Sequence, residues 1–193
     1  MRRDPTFTIY TGPMFGSKTT KLLGSIDRFT RQGLSVVAFK PKIDARYSES
    51  EICTHNGGKY EALSVSNSQQ MRDCIDDLIH RNACDVIAVD ELFMIDGAGE
   101  LLIDYFKNNG LHIIVASINL DSNAMPFKEI KDVMPWGTHI EICPAVCPVS
   151  GKDAYYTMAK FDFDHNEGPV IGGKELYEPR CYENHPWFNR YKL

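Results

Sequence analysis

The chain has 193 residues, 43% hydrophobic and 24% charged, with a formal net charge of −5. That length makes one domain, or one domain with a small appendage, and buries a core without disulfides. The negative balance argues against nucleic acid or an acidic membrane as partner. Six cysteines make no disulfide scaffold, MRRDPTFTIY is too short and polar for a signal peptide, and no apolar run reaches the roughly 18 residues of a membrane span, so a cytoplasmic protein is expected.

TFTIYT (Thr6 to Thr11) alternates and is rich in β-formers, which predicts a first strand. It runs into GPMFGSKTT, which nearly matches the phosphate-binding pattern G-x-x-x-x-G-K-[ST]. Counted from Gly12, Lys18 and Thr19 fall on their places, while the sixth position holds Ser17 and a glycine stands one step early at Gly16. The loop residues Gly12, Pro13, Met14, Phe15, Gly16 and Ser17 and the start of the next helix surround phosphate oxygens, binding them through the backbone N–H groups that all but Pro13 carry. Lys18 would reach the β- and γ-phosphates of ATP, and the Thr19 hydroxyl would help hold Mg²⁺. If the sixth position needs positive φ, Ser17 costs on the order of 1–3 kcal/mol of strain, and Gly16 is expected to share the bend.

Leu22, Leu23, Ile26 and Phe29 recur at helical spacing from Lys18 to Gly33, and LSVVAF (Leu34 to Phe39) reads as a buried strand. Strand, glycine-rich turn, helix and strand make a βαβ unit. Lys42 to Lys59 reads as a loop or hairpin. Within it, Arg46 could steady phosphate charge and Asp44 could anchor the loop, although spacing alone favours a solvated surface pair. Ser68 to His80 predicts a helix with Ser68 as N-cap. DVIAVDE (Asp85 to Glu91) is an apolar run with an acidic tip, the arrangement in which Asp90 supports a metal and Glu91 deprotonates an acceptor hydroxyl. The rival reading makes this pair an acidic helix start. Leu101, Leu102, Tyr105 and Phe106 mark another helix, and LHIIVASI (Leu111 to Ile118) another buried strand.

The character changes after about Trp136, which divides the chain into an α/β nucleotide-binding domain (1–138) and a small, mostly irregular lobe (139–193). A hairpin is expected through YYTMAKFDFDHNEG. Cys147-Pro-Val-Ser150 and Cys181-Tyr-Glu-Asn184 each look like half of a zinc knuckle with its second cysteine missing. Cys143, Cys147, Cys181 and His185 form an alternative set with x₃ spacing. Zinc and buried free cysteines both stay open.

GPMFGSKTT, DARYS with CTH, DE, PF, AVC, YYT and the spaced IGG-x₃-Y-x₃-C together resemble the type II thymidine kinases, over about residues 7 to 188. The resemblance implies a P-loop, RecA-like, mostly parallel sheet flanked by helices, with a zinc-ribbon-like lasso lobe, assembled as a homotetramer. It implies ATP-dependent, Mg²⁺-assisted phosphorylation of the 5′-hydroxyl of thymidine, deoxyuridine or a 5-substituted analogue. Gly12 to Thr19, Asp44, Arg46 and Asp90 would serve ATP and Mg²⁺, with Glu91 as the base. The nucleoside base would meet Met14, Met94, Ile118, Ser122 and Thr157, together with the lasso residues Gly168, Val170, Ile171 and Gly172, then Tyr177. Three features depart from the family: DE-x-Q-F has become DELFM, a substrate-touching phenylalanine aligns with Ser122, and the zinc cysteines are reduced to Cys147 and Cys181. Ser17, the lost Gln and the broken zinc set favour the alternative reading, a catalytically weak nucleotide-binding homologue with a regulatory or assembly role, which the joint presence of Lys18, Thr19, Asp90, Glu91 and Arg46 opposes. A RecA-like motor is disfavoured by the negative charge and the lack of basic patches.

Overall fold

Apolar runs without polar alternation, such as VVAF, VIAV and HIIVA, cannot face water on either side. They settle as inner strands of a parallel sheet with helices on both faces. The computed structural model describes residues 4–43, 50–54, 57–161 and 171–189, and it is built this way. In chain order, the first half contains β1 (Phe7–Gly12), α1 (Lys18–Arg31), β2 (Val36–Pro41), a hairpin of β3 (Glu51–Cys53) and β4 (Lys59–Glu61), β5 (Leu63–Val65) and α2 (Ser68–His80). There follow β6 (Val86–Val89), α3 (Ala98–Asp104), β7 (His112–Ile118), α4 (Lys128–Val133) and β8 (His139–Ile142).

Six of these strands form one parallel sheet in the order β5-β2-β6-β7-β1-β8. β7 is inserted between the loop strand β1 and the acid-tipped strand β6, so both end on the same edge with one strand between them. Period-2 alternation sorts the side chains onto two faces. Tyr10, Ala38, Ala88, Ile114 and Ala116 pack under Leu22, Ile26 and Phe29 of α1. Ile9, Phe39, Ile87, Val89 and Val115 pack against Met71, Ile75, Leu102, Ile130 and Val133 of α2, α3 and α4.

The small lobe holds two further two-stranded ladders. β9 (Ala145–Val146) pairs with β10 (Asp153–Ala154), and β11 (Tyr156–Ala159) pairs with β12 (Tyr177–Arg180). A last short helix, α5, covers Pro186–Asn189.

Two expectations need correction. The N-cap of α2 is Asn67, whose side chain accepts the Gln70 N–H at 3.0 Å, so Ser68 is already inside the helix. Residues 139–142 belong to the main sheet, because β8 pairs with β1, which carries the large layer past the expected boundary at 138. Tyr156–Ala159 pairs antiparallel with Tyr177–Arg180, and residues 162–168 of the expected hairpin lie outside the described residues.

Candidate active site

The phosphate-type loop links β1 to α1. Ser17 lies at φ 59°, ψ 23°, in the left-handed region, so the sixth position does require positive φ and serine supplies it. Phe15 is also left-handed, at φ 67°. Gly16 does not share this bend, which corrects its expected role. A Cβ on Gly16 would lie 2.2 Å from the Cys143 carbonyl oxygen, and one on Gly12 would lie 2.5 Å from the same atom. Both glycines therefore make room for the backbone just after β8. No side chain caps α1, and its first turn carries no acid, which leaves a helix start suited to an anion.

Lys18 is buried, and its ammonium donates to the Pro13 carbonyl at 2.5 Å. Burial pushes its pKa below the ordinary lysine range, opposed by the charges of Glu91, Asp90 and Cys143. The Thr19 hydroxyl lies 3.2 Å from both Asp90 carboxylate oxygens. Glu91 follows at φ 50°, ψ 47°, the left-handed start of a 3₁₀ turn over Leu92–Met94, and its N–H donates to Asp90 Oδ1 at 3.2 Å. A bulky acid held in this region marks a position over-determined by its surroundings. Thr19 and Asp90 offer the hard oxygen donors that suit Mg²⁺.

The small lobe grips the loop from the other side. The Met14 N–H donates to Thr157 Oγ1 at 3.0 Å, and the Thr157 carbonyl accepts from His185 Nε2 at 3.1 Å. Phe15 packs against the lobe's buried group of Ala145, Cys147, Ala154 and Cys181. Phe15 also lines a pocket of about 400 Å³ together with Val146, Lys160, Lys174 and Tyr177. Of the described residues expected around the base, Tyr177 alone lines this pocket. Thr157 is buried with its hydroxyl engaged by the loop. Met94 and Ile118 end the segments beside the acidic tip, and Ser122, Ile171 and Gly172 are half-buried. Asp44, Arg46, Gly168 and Val170 lie outside the described residues.

The x₃-spaced zinc set is not brought together. Cys143 packs in the core under α1, whereas Cys147 and Cys181 pack in the small lobe. Both ring nitrogens of His185 are engaged, Nε2 with Thr157 and Nδ1 with the Trp187 N–H at 3.2 Å. Among the described residues, no group of three or more His, Cys, Asp or Glu side chains could hold a metal ion. The donor set does not fit zinc.

Two contributors carry little mark in the sequence. Ser117, fully buried on β7, accepts the Phe93 N–H through Oγ at 3.2 Å and the Thr11 hydroxyl through its carbonyl at 3.0 Å. Its one signal is a hydroxyl inside an apolar strand. Glu129, buried on α4, accepts the N–H groups of Gly97 and Gly99 at 3.0 and 2.6 Å and so fixes the segment leading out of the acidic tip. Nothing local distinguishes it from a surface acid.

The thymidine kinase family model matches residues 6–185. A thymidine kinase of Thermococcus kodakarensis is 34% identical over 181 residues, covering 92% of each chain. The chain belongs to the thymidine kinase family.

Proposed function

We propose that this family member transfers the γ-phosphoryl group of ATP to the 5′-hydroxyl of thymidine in the cytoplasm. The observation that carries the reading is the meeting of Thr19 with both oxygens of Asp90 beside the left-handed Glu91. Gly12 to Ser17 and the α1 N-terminus receive the phosphates, and Lys18 leaves the Pro13 carbonyl to lie along them. Thr19 and Asp90 are the residues that would hold Mg²⁺, which when bound neutralises charge on the phosphate oxygens. Glu91 accepts the proton of the 5′-hydroxyl as that oxygen bonds to the γ-phosphorus. The bond from that phosphorus to the β–γ bridging oxygen breaks, and ADP leaves. Asp44 and Arg46 are assigned to phosphate charge, and Met14, Met94, Ile118, Ser122 and Tyr177 to the nucleoside. Thr157 acts on that pocket through Met14. Gly168, Val170, Ile171 and Gly172 close over the base as a lid that excludes water.

Met94, flexible and unbranched, stands where the family places an aromatic ring, which favours tolerance of a 5-substituent larger than methyl. Ile140 and Ile142, 41% and 52% exposed on the edge strand β8, support burial of that edge in a homotetramer, which sedimentation would read directly.

The test is incubation with ATP, Mg²⁺ and single deoxynucleosides. Thymidine or a 5-substituted deoxyuridine should yield the 5′-monophosphate, and no product from any of them would overturn the proposal. Glu91→Gln should lower kcat by about 10²–10⁴-fold with ATP binding unchanged. Undiminished turnover would remove Glu91 from the role of base.

A further inference from the structure

We propose that the small lobe is closed by a metal-free clasp, in which Ser150 and Asn184 hold the sulfurs of Cys147 and Cys181 by hydrogen bonds at the four places a tetrahedral zinc knuckle would use. The clasp stands on two tight turns with x₂ spacing. In the first, the Gly151 N–H donates to the Cys147 carbonyl at 2.8 Å and the Cys147 N–H to the Lys152 carbonyl at 2.9 Å. In the second, the Asn184 N–H donates to the Cys181 carbonyl at 3.1 Å. The turns aim all four side chains at one point. Ser150 Oγ lies 3.4 Å from Cys181 Sγ. Asn184 Nδ2 reaches both sulfurs, at 3.2 Å from Cys181 and 3.8 Å from Cys147.

The chemistry of these donors decides against a metal. Zinc takes thiolate, imidazole or carboxylate ligands, and the third and fourth positions supply a hydroxyl and a carboxamide. The carboxamide presents its N–H₂ end to the sulfurs, so a donor occupies the direction a cation would need. His185 is engaged at both ring nitrogens. The carboxylate next in sequence, Glu183, pairs outward with Lys152 at 2.8 Å and is 62% exposed.

The clasp has a reach beyond its own lobe. Cys147 and Cys181 form the small buried group on which Phe15 rests. β12 runs directly into Cys181 and pairs with β11, whose Thr157 holds the Met14 N–H. Loosening the clasp should therefore be felt in the phosphate loop, more in the KM for ATP than in kcat.

The test is metal content and thermal unfolding of the full chain, readouts that do not depend on the proposed kinase reaction. Protein purified after growth with added zinc should carry well under one zinc per chain, and a strong chelator should leave Tm unchanged. Stoichiometric zinc, or a chelator-sensitive Tm, would overturn the proposal. Ser150→Cys combined with Asn184→Cys should create a site that takes one zinc per chain and makes Tm chelator-sensitive. A folded double variant that takes up no zinc would show that the four positions do not converge as described. Asn184→Ala tests the hydrogen bonds without any metal and should lower Tm by about 2–4 °C, whereas an unchanged Tm would remove the clasp. The wild-type and Asn184→Ala measurements keep the proposal exposed even if the double variant fails to fold.

Discussion

At the tip of the sheet, Phe15, Ser17 and Glu91 sit at φ 67°, 59° and 50°, while in the small lobe the one described residue at positive φ is Gly151. The difference follows from what lies beneath each region. Under the tip, every residue of β6 and β7 is buried, and Ile87, Val89, Ile113 and Val115 have no exposed surface. Such a layer can hold three strained residues, each costing about 1–3 kcal/mol. The lobe's buried group is four small residues, Ala145, Cys147, Ala154 and Cys181. It leans instead on aromatic contacts such as Tyr182–Phe188 at 4.6 Å and Tyr156–Phe188 at 4.5 Å, worth about 0.5–1.5 kcal/mol each, and on its clasp. A structural zinc contributes about 10–16 kcal/mol to a small metal domain, and hydrogen bonds to sulfur do not approach that. The lobe's order therefore rests partly on its grip on the phosphate loop. Strain is stored where the core is deep, and the shallow region is kept relaxed.

That contrast can be broken by substitution. Ile87→Ala, in the middle of the sheet, should cost about 2–5 kcal/mol by denaturant unfolding, and a cost under about 1 kcal/mol would deny the sheet its supporting role. Gly16→Ala places a methyl 2.2 Å from a backbone oxygen. It should cost about 1–3 kcal/mol and raise the KM for ATP, since the loop or the strand after β8 must move. Thr157→Val removes the acceptor for the Met14 N–H. It should cost about 1–3 kcal/mol and likewise raise the KM for ATP, and an unchanged KM would mean that the lobe does not position the loop. The smallest effect has the opposite sign. Ser17→Gly relieves the left-handed serine and should raise stability by about 0.5–1 kcal/mol without lowering turnover. A loss of stability there would show that the Ser17 side chain compensates its own backbone.

Elements whose pattern is local are legible in the chain itself. β1 declares itself as an alternating run of β-formers, β2, β6 and β7 as apolar runs, and α1 and α2 as 3.6-residue periods, because burial on a sheet face or helix stripe leaves a mark on adjacent residues. Strands that depend on a remote partner leave no such mark. β8 is largely exposed and becomes a strand through β1, and β12 exists through β11. The expected N-cap of α2 is off by one residue because Asn67 and Ser68 are both good caps and only the backbone chooses between them.

The sequence by itself determined the chemistry available: a lysine and threonine after a glycine-rich turn, two acids after an apolar strand, and two half-knuckles lacking their second cysteines. Tertiary structure decided which of these meet. Thr19 and Asp90 come together across 71 positions of chain because β7 slots between their strands and brings both tips to one edge. Gly16 is needed for a carbonyl far along the chain, since Cys143 closes over the loop. Asn184 faces two sulfurs where spacing left zinc open. Residue type sets what a side chain can donate or accept, but long-range packing selects its partner, and spacing along the chain carries no information about that choice.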